Sequence, residues 1–319
     1  MKRLNNLYNE ICCIKNLQLA DEKARKGKAF QYGIKVHDRN REANIFKLHE
    51  MLTNKTYRTS AYTTFKVYEP KEREVFRLPY FPDRITHHAV MNILEPIFTS
   101  AFTTDTYSCI KGKGIHGAAN AVKKALRDVP GTTYCLKLDI KKFYPNIDHG
   151  VLKDILRKKF KDRKLLWLLD EIIDSADGLP IGNYLSQYFA NFYLTWFDHW
   201  IKETKKVKYY FRYADDLVIL SDNKSFLHEM LSDIRIYLSE ELKLVVKGNY
   251  QVFPVDARSI DFVGYRFYHT HTLLRKSIKK NFARMIAKNK NDASIASYYG
   301  WAKHCNSNHL LKTLLHEAV

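Results

Sequence analysis

The chain has 319 residues, 45% of them hydrophobic, and carries 53 lysines and arginines against 34 acidic residues, a formal net charge of +19. That much apolar material supports a large buried core and excludes a disordered protein, and the length suits two or three coupled subdomains rather than a string of modules. The cationic excess favours a polyanionic partner, nucleic acid first, with a merely soluble basic protein or a membrane-surface protein as plainer alternatives. Five cysteines (Cys12, Cys13, Cys109, Cys135, Cys305) show no CxxC spacing. An odd count without a signal peptide predicts reduced thiols in a cytosol-like compartment. No segment reaches the roughly 18 apolar residues of a membrane span, so a soluble, cytoplasmic protein without a membrane partner is expected.

In chain order, basic helical pieces come first, followed by "TTFKVYEPKEREVFRLPYFPDR", which predicts two strands around a charged turn at Glu69 to Glu72, then Pro79 and Pro82. "ITHHAVMNILEPIF" predicts a helix. In "TTYCLKLDI", Tyr134, Leu136 and Leu138 share one face of a strand that ends at Asp139. Helices follow at "VLKDILRKKF" and "LLWLLDEIIDSA". Beyond the turn "DGLPIGN", Phe189, Tyr193, Trp196 and Trp200 recur at helical spacing and predict one long helix, its aromatic stripe packed as core rather than as a base-stacking platform. "YYFRYADDLVIL" predicts a hairpin with Ala214, Asp215 and Asp216 at its tip. An amphipathic helix through Phe226, Met230, Ile234, Leu238 and Leu242 comes next, then strands at "LKLVV" and "IDFVGYRFY". Cys305 and His309 have the spacing of two zinc ligands on a helix, but Asn306, Ser307 and Asn308 between them predict a helix break, so no zinc site is expected.

Strand, helix, hairpin, helix, strand is the order of a split βαβ arrangement on an antiparallel sheet, an α+β fold. A bare Asp-Asp pair is most simply a solvated turn. In this topology, however, the strand ending at Asp139 lies beside the hairpin, although 76 positions separate Asp139 from Asp215. Three carboxylates converging without a counterion would raise one another's pKa, a cost that a pair of magnesium ions removes. Two such ions about 4 Å apart can activate a 3′ hydroxyl and stabilise a leaving pyrophosphate.

"LKLDIKKFYPNIDH", "GLPIGNYLSQYFANFYL" and "YADD" resemble, in order and spacing, three catalytic motifs of reverse transcriptases, and the likeness extends over roughly residues 60 to 280. "EPKEREVFRLPYFPDRITHHAVMNILEPIF" and "DTYSCIKGKGIHGA" resemble the fingers motifs and "IDFVGYRF" the primer-grip segment. The resemblance implies a right-hand polymerase: N-terminal helices and fingers over 1–130, palm over 131–270 with 149–180 returning to the fingers, and a small helical thumb over 271–319. It implies that Asp139, Asp215 and Asp216 are catalytic, with Ile140 completing the Mg2+ site through its backbone and Mn2+ able to substitute. Tyr144 matches the steric gate that blocks a ribose 2′ hydroxyl, and Lys71 and Arg73 fall where the fingers hold the triphosphate, although an ordinary charged turn would look the same. Lys141, Ile181, Gly182 and Gln187 complete the implied deoxynucleotide site. Gly264 and Tyr265, with Lys276, Lys279, Lys280 and Arg284, are implied to hold template RNA and cDNA. Beyond Thr270, nine lysines and arginines face Asp292 and Glu317 alone, which suits a thumb gripping a phosphate backbone. Tyr298, Tyr299 and Trp301 are expected in the thumb core.

Tyr144 and Ala214 both count against RNA-templated RNA polymerases, which usually carry a second aspartate and a Gly-Asp-Asp hairpin. Most reverse transcriptases have glutamine where this chain has Ile181, and Ser-Pro where it has Ser186 and Gln187. That departure resembles the reverse transcriptases of diversity-generating retroelements, implying low fidelity at template adenines, since losing a hydrogen-bonding side chain removes a check on pairing. Ile181 as a plain packing residue is the alternative. Lys247 is expected out of register with the family's lysine near the pyrophosphate. No endonuclease, RNase H or zinc-finger sequence appears before Val319, and a small, basic, oligomeric accessory protein is the implied partner of a bacterial or phage-encoded enzyme. A phage-defence or group II intron-type enzyme, and a non-catalytic nucleic-acid scaffold, are the competing expectations.

Overall fold

A computed structural model describes residues 3–68, 72–288 and 292–316. The chain divides into two compact units, the first comprising Met1–Phe102, Lys142–Thr195 and Glu241–Leu244, the second Thr103–Lys141, Trp196–Glu240 and Val245–Val319.

The first unit is mainly helical, with one antiparallel hairpin of β1 (Thr63–Val67) and β2 (Arg73–Arg77). Its central helix, Ile85–Ala101, buries Ile85, Ala89, Val90, Leu94 and Phe98 on one side, the spacing of an amphipathic helix facing a core. Phe98 meets Phe160, Phe189 and Phe192 edge-on or tilted, so the aromatic run after "LPIGN" is core at Phe189 and Tyr193, as expected, whereas Trp196 and Trp200 are half-buried. Two aspartates start helices here. Asp148 accepts from the Val151 amide at the head of His149–Lys159, and Asp162 from the Lys164 and Leu165 amides at the head of Arg163–Ile173. A further staple is Asp21, fully buried, which accepts from Arg25, Arg41 and Tyr80 and is held well below the usual carboxylate range by those bonds and by His37 against its desolvation.

The second unit holds a four-stranded sheet of β3 (Tyr134–Asp139), β4 (Tyr209–Tyr213), β5 (Asp216–Ser221) and β6 (Gln251–Pro254). The order is β4-β5-β3-β6 and every pairing is antiparallel. β5 therefore lies between β3 and β4, and β3 between β5 and β6: two interleaved split βαβ units, as the order of elements predicts. The helix Lys224–Glu240 covers the sheet with Leu227, Met230, Leu231, Ile234 and Leu238. A second sheet joins β7 (Ile260–Phe262), β8 (Tyr265–Phe267) and β9 (Thr272–Leu274), and the helices Lys276–Ala287, Asp292–Ala302 and Asn308–His316 follow.

Three expectations change. The predicted long helix is three segments, Tyr184–Tyr193, Thr195–His199 and the wider-wound Trp200–Thr204, with Leu194 leaving helical geometry after the first. "LKLVV" makes only an isolated bridge, Ile140 to Val246, and the fourth strand is β6 instead. "IDFVGYRFY" is a hairpin, because Val263 and Gly264 turn at positive φ of 41° and 86°. The Gly264 turn leaves no room for a side chain, since a Cβ there would meet the Trp301 ring.

Candidate active site

β3 and β5 place Asp139 directly opposite Asp216. The tip of the β4–β5 hairpin is bound to the end of β3 by its backbone, the Ile140 amide donating to the Asp215 carbonyl at 3.1 Å. Beyond it, the segment that fails to form a strand closes the same corner: Lys141 donates its amide to Val245 and Lys247 donates its own to Asp139, each at 2.8 Å. Asp139, Ile140, Lys141, Asp215 and Asp216 are thus gathered at one edge of one sheet.

The electrostatics of that edge are unbalanced. Oδ1 of Asp216 is buried and has no hydrogen-bond partner. Burial pushes the Asp216 carboxyl up to about 7, with repulsion from Asp139 and Asp215 adding to the rise and Lys137 opposing it. Two ammonium groups approach: Lys137 Nζ lies 3.8 Å from Asp216, and Lys247 Nζ lies 3.7 Å from Asp139. Lys247, whose role the sequence leaves open, therefore stands beside Asp139. Lys137 also donates to the Asp261 carbonyl. Its alternation with Asp139 along β3 was a signal in the sequence, since residues two apart share a strand face.

Among the described residues, no three acidic, histidine or cysteine side chains stand close enough to cage an ion unaided. A hard divalent cation does not require that. Magnesium takes one or two carboxylates and fills its remaining positions with water and substrate phosphates, and a buried Asp216 oxygen without a hydrogen-bond partner, opposite Asp139, fits such a demand.

In the first unit, the loop after the helix Arg163–Ile173 connects three of the residues expected at the nucleotide, Tyr144, Ile181 and Gly182. Leu179 donates its amide to the Tyr144 carbonyl at 2.8 Å, and the Ile181 carbonyl accepts from Phe76 of β2 at 2.7 Å. Gly182, at φ +120°, lies against the Phe76 carbonyl so closely that a Cβ would collide with it. Tyr144, Ile181, Gly182 and the strand that begins with Arg73 are thereby tied together. Lys71 lies outside the described residues.

Gln187 and Gly182 also line a cleft of about 730 Å³ whose walls the sequence did not suggest. Lys28, Arg77 and Arg84 supply its charge, Tyr32, Phe65, Phe76 and Tyr184 its rings, and among the described residues no acidic side chain lines it. Burial, and then Arg77, lowers the pKa of Arg84; burial, and then Arg84, lowers that of Lys28. At its floor His87 is fully buried with an unpartnered Nε2, and burial first, then His88 and Arg84, holds it down to about 3. An acid-free cleft of crowded cations and exposed rings suits a phosphate chain carrying bases.

Tyr265 is fully buried and its hydroxyl donates to the Trp301 carbonyl, so its side chain anchors the β7–β8 hairpin rather than presenting a surface, which corrects the expectation of nucleic-acid contact there. Lys276, Lys279, Lys280 and Arg284 are all exposed on one helix, without ion-pair partners among the described residues, while Phe282 is buried and stacks on Tyr298.

A sequence profile of the reverse transcriptase (RNA-dependent DNA polymerase) family matches residues 69–267. Protein YkfC of Escherichia coli is 24% identical over 70% of this chain and 69% of its own length. The group II intron-encoded protein LtrA of Lactococcus lactis is 25% identical over 51% of this chain and 29% of its own, and the nuclear intron maturase 4 of Arabidopsis thaliana is 25% identical over 52% and 22%. Among solved structures, telomerase from Candida tropicalis in complex with a fragment of telomeric RNA superposes with a TM-score of 0.53 at 12% identity, covering 84% of this chain and 58% of that one. The chain thus spans little over half of that telomerase and under a third of the intron-encoded proteins, and the structural likeness is one of fold. Because the family profile covers more than half of the chain, the chain belongs to the reverse transcriptase family.

Proposed function

We propose that the chain copies an RNA template into DNA by metal-assisted nucleotidyl transfer, a reading carried by Asp139 facing Asp216 with an orphaned oxygen at their corner. Asp139, Asp215 and Asp216 are the residues that would hold the cations, Mg2+ in the first place. Bound there, they would supply Lewis-acid activation of the primer 3′ hydroxyl and charge neutralisation at the departing pyrophosphate. Lys247, beside Asp139, would give that pyrophosphate a proton. Tyr144 excludes a ribose 2′ hydroxyl, Arg73 and Lys71 meet the triphosphate, and the cationic cleft of Lys28, Arg77 and Arg84 takes single-stranded template. The exposed basic helix Lys276–Ala287 serves as thumb, gripping the duplex backbone.

Ile181 supports the narrower assignment to an error-prone, diversity-generating enzyme working with a basic accessory protein, since an apolar side chain replaces a hydrogen-bonding one beside the nucleotide. Similarity to the intron-encoded LtrA and to nuclear intron maturase 4 favours a second reading, an intron-type enzyme. Extension of a DNA primer on a defined RNA, followed by deep sequencing of the cDNA, tests both levels. Loss of product in Asp215→Asn is expected, together with errors concentrated opposite template adenines. Equal product from wild type and variant would end the polymerase assignment, whereas a flat error spectrum would leave polymerisation standing and favour the intron-type reading.

A further inference from the structure

β4 carries a guanidinium in the middle of a buried strand. Arg212 is fully buried, and so is its partner Asp198. Nε of Arg212 donates to both carboxylate oxygens of Asp198, at 2.8 and 3.0 Å, and Nη2 donates to Oδ2 at 2.6 Å. The same carboxylate accepts from the Tyr210 hydroxyl at 2.6 Å and the Thr106 hydroxyl at 2.8 Å. Four donors on one buried carboxylate leave the guanidinium plane a single orientation.

The remaining arm reaches the catalytic loop. Nη1 of Arg212 donates to the Ala214 carbonyl at 3.1 Å. Ala214 is the first residue of the two-residue connection between β4 and β5 and sits at φ +53°, where an unsubstituted glycine would be the relaxed choice. The next carbonyl, that of Asp215, is held by the Ile140 amide. Both carbonyls of the loop are therefore fixed, one by the neighbouring strand and one by a buried side chain.

A buried ion pair contributes little net stability, because desolvation offsets most of the attraction and apolar residues of like volume serve as well. The arm that leaves the pair for Ala214 has a different use. We propose that Arg212 is a positioning residue: oriented by Asp198, Tyr210 and Thr106, it holds the Ala214 peptide in its left-handed conformation and so fixes where the Asp215 and Asp216 carboxylates point. This rests on the assignment of those carboxylates as metal ligands, and it assigns to "FRYADD" a second function, that of a preorganised support beneath the acidic pair.

The test is Arg212→Lys, which keeps the charge but cannot span Asp198 and Ala214 at once. Hydrogen exchange without metal should rise about tenfold over residues 213–217 and stay unchanged in the helix Lys224–Glu240. Mn2+ binding followed by paramagnetic resonance should weaken at least about fivefold. The kcat of primer extension should fall about 100-fold with the deoxynucleotide KM within about threefold, the cost of misplacing reacting groups by an ångström. Should the lysine variant not fold, the apolar pair Asp198→Leu/Arg212→Met carries the same expectations. Unchanged exchange over 213–217 in a folded variant, or exchange that quickens evenly across β3 to β6, would overturn the proposal. If wild type itself extends no primer, the polymerase assignment falls, and the exchange and Mn2+ results still decide the role of Arg212.

Discussion

The acidic corner of the second unit and the cationic cleft of the first are built in opposite ways. The corner is made by backbone: strand register sets Asp139 against Asp216, amides hold the Asp215 and Val245 carbonyls, and a buried guanidinium holds that of Ala214. The cleft is made by side chains from separate helices and a hairpin, with Arg77 and Lys28 exposed. The corner gathers three carboxylates with Lys137 and Lys247 alongside, and the cleft gathers cations, but a small cation demands fixed oxygens whereas a polymer that slides by one nucleotide at a time demands charge that tolerates displacement. Rigid geometry on one side and adaptable charge on the other is the combination a template-copying enzyme needs.

The sharpest way to break this contrast is to remove one oxygen ligand. Asp139→Asn should lower the rate of primer extension by about three orders of magnitude, since several kcal/mol of charge stabilisation are lost and about 1.4 kcal/mol is tenfold. Its affinity for template should stay close to wild type in a filter-binding titration. Gly182→Ala should come next: a side chain driven against the Phe76 carbonyl at φ +120° costs about 1–3 kcal/mol, read as a lower midpoint in urea unfolding. Arg77→Ala/Arg84→Ala should then weaken single-stranded RNA binding by about tenfold and reduce the salt slope by about 1.4, from about 0.7 per lost phosphate contact, with the Mg2+ requirement unmoved. If the arginine pair altered the metal requirement, or Asp139→Asn the salt slope, the division of labour would be wrong.

The smallest effect separates the two regions by sign. Asp216 rises from an ordinary 3.8 to about 7, so between those pH values the folded chain keeps a proton the unfolded chain has released. Its contribution to stability is therefore lost as pH rises through that window. His87 and His88 fall from 6.5 to about 3 and about 4, so the unfolded chain takes up protons that the folded chain refuses, and stability is lost as pH falls below about 6.5. Urea unfolding with chelator present should show Asp216→Asn removing a loss of stability as pH rises from 3.8 to about 7, and His87→Phe removing a loss as pH falls from 6.5 toward about 3, changes of opposite slope over the range the two windows share.

Much of this was legible in the sequence where the pattern is local. Alternation marks β3 and ends it at Asp139, and the run from Tyr209 to Leu220 marks a hairpin with its acidic tip. "LKLVV" alternates equally well and yet forms no strand, because its backbone partners are the end of β3 and not a full neighbouring strand, a matter of tertiary register. The turn at Val263 was hidden because a β-branched residue at positive φ is unfavourable and gives no turn signal. The role of Arg212 was not legible: its partner comes from a helix fourteen positions earlier, and nothing in either segment announces the pairing. The cleft escaped for the same reason, since Lys28 and the rings of Tyr32 and Tyr184 come from segments far in sequence from Arg77 and Arg84.

The central claim is that these far-apart carboxylates together hold divalent cations, and Mn2+ titration followed by electron paramagnetic resonance, at a pH above the Asp216 ionisation, tests it without any turnover. Wild type should bind Mn2+ at least about tenfold more tightly than Asp139→Asn or Asp216→Asn, each of which removes a charged ligand from the site. Equal affinity and equal stoichiometry in all three proteins would contradict the account.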